Sequence, residues 1–133
     1  TTGSKLQSQR EATEPWGAPM ENEQQKPYIW LLDIDGTICE DIPNEQSHLF
    51  SSAYVYPGAL EKVLELQKTG EIFFFTARTS EHAEATEEWL TRHGFPFTRV
   101  LYDKPRIKKG QTYNWVDNRM VLGHWVPGGI TQL

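Results

Sequence analysis

Apolar runs that close on an acid or a hydroxyl recur along this chain, and stretches with helical periodicity separate them. Residues 28–33 read YIWLLD, a continuous apolar run ending at Asp33. Its length and its β-branched and aromatic content predict a strand buried on both faces. Residues 71–76 (EIFFFT) predict a second buried strand, 97–102 (FTRVLY) a third, and 112–116 (TYNWV) a fourth that ends at Asp117. Pro57 and Gly58 open a helix with Leu60, Val63, Leu64 and Gln67 on one face, and Gly70 is placed to end it. Thr79 or Ser80 caps a second helix running to about His93. Ala83, Thr86, Trp89 and Leu90 lie on one side of it, glutamates on the other, and Gly94 follows. Residues 38–56, interrupted by Pro43, predict a loop or small flap. Residues 118–126 predict a short helix or a fifth, edge strand before Pro127, Gly128 and Gly129 break the chain.

Strands alternating with helices imply parallel β-α-β units and an α/β class. The expected architecture is a minimal doubly wound (Rossmann-like) domain. Its parallel sheet has four or five strands in the order 3-2-1-4(-5). Ligands of such sheets bind beyond the carboxyl ends of the strands. Asp33, Thr76 and Asp117 each close a predicted strand, and Lys104 stands just past the third. The fold therefore gathers four polar residues, distant in sequence, at one sheet edge.

The rest of the chain bounds the reading. Residues 1–27 are rich in Gln, Glu, Ser, Thr and Pro, lack periodicity and hold few apolar side chains. Such a segment cannot bury enough surface to offset its ordering entropy. It is expected to be a disordered leader or linker, leaving residues 28–133 as the folded domain. The net charge of −5 argues against binding polyanions through bulk charge. The charge is uneven, however, with Arg99, Lys104, Arg106, Lys108 and Lys109 crowded together. Cys39 is the lone cysteine, which excludes an intrachain disulfide and metal sites built on several thiolates. No apolar run is long enough for a membrane span and no signal-peptide pattern opens the sequence, so a soluble cytoplasmic protein without membrane partners is expected. His48, His82, His93 and His124 have no metal-ligand spacing. The five tryptophans read as core and interface residues, with Trp16 apart in the leader.

The chemistry concentrates in LLDIDGTICE at 31–40. A carboxylate at a strand tip, Asp33, can attack phosphorus and form an aspartyl-phosphate. Asp35 can be carried by the turn back over the same point, to protonate the leaving oxygen and then activate water. Gly36 permits a tight backbone path at positive φ beside the phosphoryl group. Thr37 can hydrogen-bond locally and hold the turn. Two acids repel a phosphate dianion, and Mg²⁺ relieves that repulsion with one or two carboxylates, waters and phosphate oxygens as ligands. Asp117 supplies a further carboxylate. Thr76 offers a hydroxyl to a phosphoryl oxygen and Lys104 a positive charge. Lys108 and Lys109 lie close by; Lys104 is preferred because it directly follows the third strand.

From about Ile29 to Trp125 the chain resembles the haloacid dehalogenase-like (HAD) superfamily in its phosphatase form. DIDGT at 33–37 matches its first motif, FFFTAR at 73–78 the second, the Lys of YDKPR the third and WVDN at 115–118 the fourth. The resemblance implies Asp33 as nucleophile and metal ligand, and Asp35 as general acid/base that also binds metal through its backbone carbonyl. It implies Thr76 and Lys104 as phosphoryl ligands and Asp117 as a metal ligand. The fourth motif often carries two acids; here the second place is Asn118, which can hold a metal-bound water or orient Asp117.

Cap domains of the superfamily are inserted after the first motif or between the second and third. Only 38 residues separate Thr37 from Thr76, and 27 separate Thr76 from Lys104. Neither interval holds a cap, so the resemblance is to small capless members with an open site. TAR, WLTRHGFPF and VDNR are also similar to the phosphatase domain of polynucleotide kinase-phosphatases, which places Arg78 and Arg119 at the phosphate or the substrate. The expected activity is Mg²⁺-dependent hydrolysis of a phosphomonoester, either a nucleic-acid 3′-phosphate end or a small phosphoester. The alternative is a catalytically weak scaffold of the same fold that binds a phosphorylated partner or nucleic acid.

Overall fold

The computed structural model describes residues 25–133. The leader expected over 1–27, with Trp16, lies outside the described residues except for its last three positions. Three parallel strands form the sheet: β1 (Tyr28–Leu32), β2 (Gly70–Phe75) and β3 (Arg99–Leu101). They lie in the order β1-β2-β3, with Tyr28 opposite Gly70, Leu32 opposite Phe74, and Phe75 opposite Leu101. Helix α1 (Ala59–Gln67) connects β1 to β2, and α2 (Ala83–Arg92) connects β2 to β3. Short 3₁₀ segments cover Asn44–Ser52, Ser80–His82 and Ile130–Gln132. No helix among the described residues is long and apolar enough to cross a membrane.

The middle strand is apolar apart from the exposed Glu71 near its start, and its alternate residues are covered. Ile72 and Phe74 are buried, and Phe74 meets Phe95 and Phe97 edge-on. Helix α2 buries Thr86, Trp89 and Leu90, the face its periodicity predicts. Burying Leu90 alone is worth about 2 kcal/mol. The helix ends in a Schellman arrangement: Gly94 N–H donates to the Thr91 carbonyl and Phe95 N–H to the Leu90 carbonyl, while the Phe95 ring stacks on Trp89. Helix α1 buries Ala59, Val63 and Leu66, so its inner face is turned from the expected one and Leu64 stays exposed. Gly70 does not end that helix; it is the first residue of β2.

The fourth strand expected over 112–116 is not formed, and neither is an element over 118–126. Asp117 organises the chain locally instead. Its carboxylate accepts the Arg119 N–H at 3.0 Å and the Trp115 indole N–H at 3.1 Å, so Trp115 is drawn into a local turn rather than paired with β1. Without a neighbour on that side β1 is an edge strand. The expectation that it is buried on both faces gives way to one in which Tyr28, Ile29 and Leu31 remain exposed. The expected 38–56 flap instead folds inward through Ile38, Ile42, Phe50 and Ala53.

Candidate active site

Beyond the carboxyl end of β1 the chain turns sharply. Thr37 and Ile38 N–H both donate to the Ile34 carbonyl at 3.0 Å, and Gly36 N–H to the Cys39 carbonyl at 2.9 Å. Gly36 has φ +82°, a conformation side-chain-bearing residues disfavour. Ile34 is fully buried between the two acids, so alternation along the backbone directs Asp33 and Asp35 away from the core. The C-terminal end of the chain braces this turn, because Ile130 N–H donates to the Thr37 carbonyl at 2.8 Å and Ile130 is itself buried.

Both acids line one cleft of about 250 Å³, together with Asp41, Ile42, Asn44, Ala77, Arg78 and Lys104. Arg106, Ile107 and Tyr113 stand on its outer wall. Asp33 is partly exposed there. One of its oxygens accepts the Lys104 ammonium at 3.0 Å and the other the Thr37 hydroxyl at 2.9 Å. Asp35 is more enclosed. Arg78 binds it through a fork, and the third guanidinium nitrogen donates to the Thr86 hydroxyl at 3.0 Å. The Phe50 ring lies 3.8 Å below the guanidinium carbon. Burial pushes the Asp35 carboxyl above its ordinary range, and the charges of Asp33 and Asp41 add to that rise; the Arg78 hydrogen bonds and charge pull the other way.

The ends of β2 and β3 are tied to each other, which sets where Lys104 points. Thr76 N–H donates to the Leu101 carbonyl, Lys104 N–H to the Thr76 carbonyl and Asp103 N–H to the Arg78 carbonyl. Asp103 takes φ +64°, unusual for a residue other than glycine, immediately before the lysine. This turn sends the Lys104 side chain back to Asp33.

The residues singled out in sequence therefore divide. Asp33, Asp35, Arg78 and Lys104 come together, with Thr37 and Gly36 forming the turn that holds them. Arg78 meets Asp35 and Thr86 with its three side-chain nitrogens rather than standing open to a ligand. Thr76 is fully buried, its hydroxyl accepting the Arg78 N–H at 3.1 Å, and it does not line the cleft. Asp117, Asn118 and Arg119 are exposed and lie outside the cleft lining. Lys104, not Lys108 or Lys109, is the lysine that reaches Asp33. Asp41, Asn44, Asp103 and Tyr113 were not anticipated. For Asp41 the only sequence signal is its place in CEDIP, six residues after Asp35, and it becomes informative only once the turn folds back.

The donor set offered to a cation is hard oxygen from Asp33 and Asp35, with Asp41 in the same cleft. No cluster of three or more His, Cys, Asp or Glu residues arranged as a metal site occurs among the described residues. Mg²⁺ commonly takes one or two carboxylates and completes its shell with water and phosphate oxygens; the Asp33 carboxylate suits it, whereas both Asp35 side-chain oxygens are taken by Arg78.

No protein-family model matches the chain. Two bacterial proteins that carry the name "Putative nucleotidase" are similar to it. The one from Oceanobacillus iheyensis is 37% identical over 76 residues, which are 56% of this chain and 35% of that protein. The one from Bacillus cereus is 46% identical over 48 residues, 35% of this chain and 25% of that protein. The matched regions thus span about a third or less of those relatives' length. Among solved structures, a target protein from Vibrio cholerae superposes with a TM-score of 0.52 at 24% identity, over 73% of this chain and 83% of that one. That likeness concerns the fold.

Proposed function

We propose that the chain is a HAD-type phosphomonoester hydrolase acting on nucleotides through an aspartyl-phosphate. The observation that carries this reading is the unequal treatment of two acids in one cleft. Asp33 is half-open and held at both oxygens by Lys104 and Thr37; Asp35 is enclosed and gripped by Arg78. The similarity to proteins named as nucleotidases points the same way and suggests the substrate class.

An Asp33 oxygen attacks phosphorus, a phosphorus–oxygen bond forms, and the bond from phosphorus to the ester oxygen breaks. Asp35 gives its proton to the departing oxygen; its burial works in that direction, and the Arg78 hydrogen bonds oppose it. A water then attacks phosphorus, Asp35 takes one proton from it, and Asp33 leaves as a carboxylate with inorganic phosphate as the second product. Lys104 offsets negative charge on the phosphoryl oxygens during both steps. Asp33, Asp35 and Asp41 face Arg78, Lys104 and Arg106 across the cleft. With Asp35 protonated, the cleft carries about one net positive charge, short of what a phosphate dianion brings. A Mg²⁺ held by the Asp33 carboxylate and the Asp35 backbone carbonyl would supply the missing positive charge.

The test is hydrolysis of an aryl phosphate and of a nucleoside monophosphate with and without Mg²⁺, by wild type and Asp33→Asn, with circular dichroism confirming that both are folded. Turnover lost in the variant supports the reading. Absence of turnover by wild type across several divalent metals would overturn it, in favour of a scaffold that binds a phosphorylated partner.

A further inference from the structure

The loop after Lys104 builds an outer wall on the cleft that phosphoryl chemistry does not require. The Tyr113 hydroxyl donates to the Pro105 carbonyl and closes the loop at its base, while Gln111 N–H donates to the Lys108 carbonyl at 2.9 Å at its tip. Between these ties Arg106, Ile107 and Tyr113 line the cleft. Ile107 is 46% exposed and Tyr113 49%, and both line the cleft beside its acidic and basic floor. The Lys104 ammonium lies 3.0 Å from Asp33 and 5.5 Å from the centre of the Tyr113 ring. A phosphoryl group at Lys104 would therefore lie near that ring.

We propose that Tyr113, Ile107 and Arg106 form a subsite for the nucleobase of the substrate, an inference that rests on the nucleotide phosphatase reading. The phenol ring presents a flat π face to an aromatic base, Ile107 extends the apolar surface, and the planar Arg106 guanidinium can stack on the base or pair with its edge. A phosphate ester of a simple polyol has no flat face to place there. The outer wall thus sets specificity for aromatic esters, while the floor sets the chemistry.

The experiment compares wild type, Tyr113→Leu and Tyr113→Phe. It measures kcat/KM for adenosine monophosphate and for glycerol phosphate, and follows binding of unphosphorylated adenosine by saturation-transfer NMR. Tyr113→Leu lowers the preference for the adenosine ester by about tenfold, because aromatic stacking on a base is removed. Tyr113→Phe keeps the ring and the preference, which separates stacking from the hydroxyl's closure of the loop. An unchanged preference in Tyr113→Leu, or equal losses on both esters, overturns the subsite. If no ester is turned over, the phosphatase reading fails, and the NMR measurement still decides the subsite. Adenosine signal lost in the Leu variant and kept in the Phe variant supports it; equal signal in all three overturns it.

Discussion

Arg78 holds Asp35 through two parallel hydrogen bonds, Nε to Oδ2 at 2.9 Å and Nη2 to Oδ1 at 2.8 Å, from a position that is almost wholly buried. Truncating one member of such a pair leaves the other as an unpaired, desolvated charge. Arg78→Met is expected to lose about 3 kcal/mol of stability, read as the urea midpoint. The double variant Arg78→Met with Asp35→Asn should recover part of it, since no lone charge remains. Arg78→Lys keeps the charge but not the fork, so Asp35 is no longer oriented and turnover falls even where the protein folds. An Arg78→Met protein as stable as wild type would show that the fork is not formed in solution.

Asp33 stands in contrast, because its side chain is 35% exposed and its ion pair with Lys104 contributes little to stability. Asp33→Asn should therefore melt within a few degrees of wild type and yet lose turnover by at least about 10³-fold, as expected when a nucleophile is removed. Lys104→Met should lower kcat through lost stabilisation of phosphoryl charge, again with a small change in melting. Retention of activity by Asp33→Asn would transfer the attacking role to another group.

The strand–helix alternation was legible from residue 28 to about residue 102 because each element carries its own period. β2 runs apolar from Ile72 to Phe75, and α2 places Thr86, Trp89 and Leu90 on one face. The DIDGT turn was legible for the same reason: its hydrogen bonds are local. What could not be read depends on contacts between distant segments. TYNWV has strand-like composition, but no strand pairs with it: β1 is left at the sheet edge, and whether a segment finds a pairing partner is not written in its own apolar pattern. Arg78 follows a strand as a ligand-binding arginine would, yet Thr86 and Phe50 turn it toward Asp35. The Lys104 direction depends on a positive φ at Asp103, a residue for which sequence gives no such warning.

Packing between β1 and β2 gives a prediction independent of the chemistry. At Gly70 a Cβ would run into the Tyr28 carbonyl and meet Trp30 Cδ1 at 2.8 Å. The obstruction is mostly backbone, so it cannot be relieved by a rotamer change. Gly70→Ala should cost about 2 kcal/mol, measured by urea unfolding, as β1 shifts to admit the methyl group. The folded fraction should keep its turnover, since Asp33 lies at the opposite end of the strand. A variant of wild-type stability would mean that the two strands pack less closely than described.

Cys39 supplies the pH prediction. It is fully buried, with Sγ 3.8 Å from the Ile34 carbonyl and 3.9 Å from Asp35 Oδ1. Burial, with the negative charges of Asp35 and Asp33 adding to it and Arg78 opposing, pushes the thiol up from 9.0 to about 12. At pH 8 the native protein should not react with an aromatic disulfide reagent, whereas the urea-unfolded chain should react completely. The linkage has a definite sign. Between the unfolded and folded values the native state keeps a proton that the unfolded chain has released. The contribution is therefore whole below 9.0 and is lost as pH rises toward 12, at up to about 1.4 kcal/mol per pH unit. Cys39→Ala lacks that slope. Tyr102, shifted upward by burial and by its hydrogen bond to Glu87, titrates in both proteins and cancels in the comparison. The stability difference between wild type and Cys39→Ala should thus be constant from pH 7 to about 8.5 and shift in favour of the variant above it; rapid labelling of native Cys39 at pH 8 would contradict the buried placement.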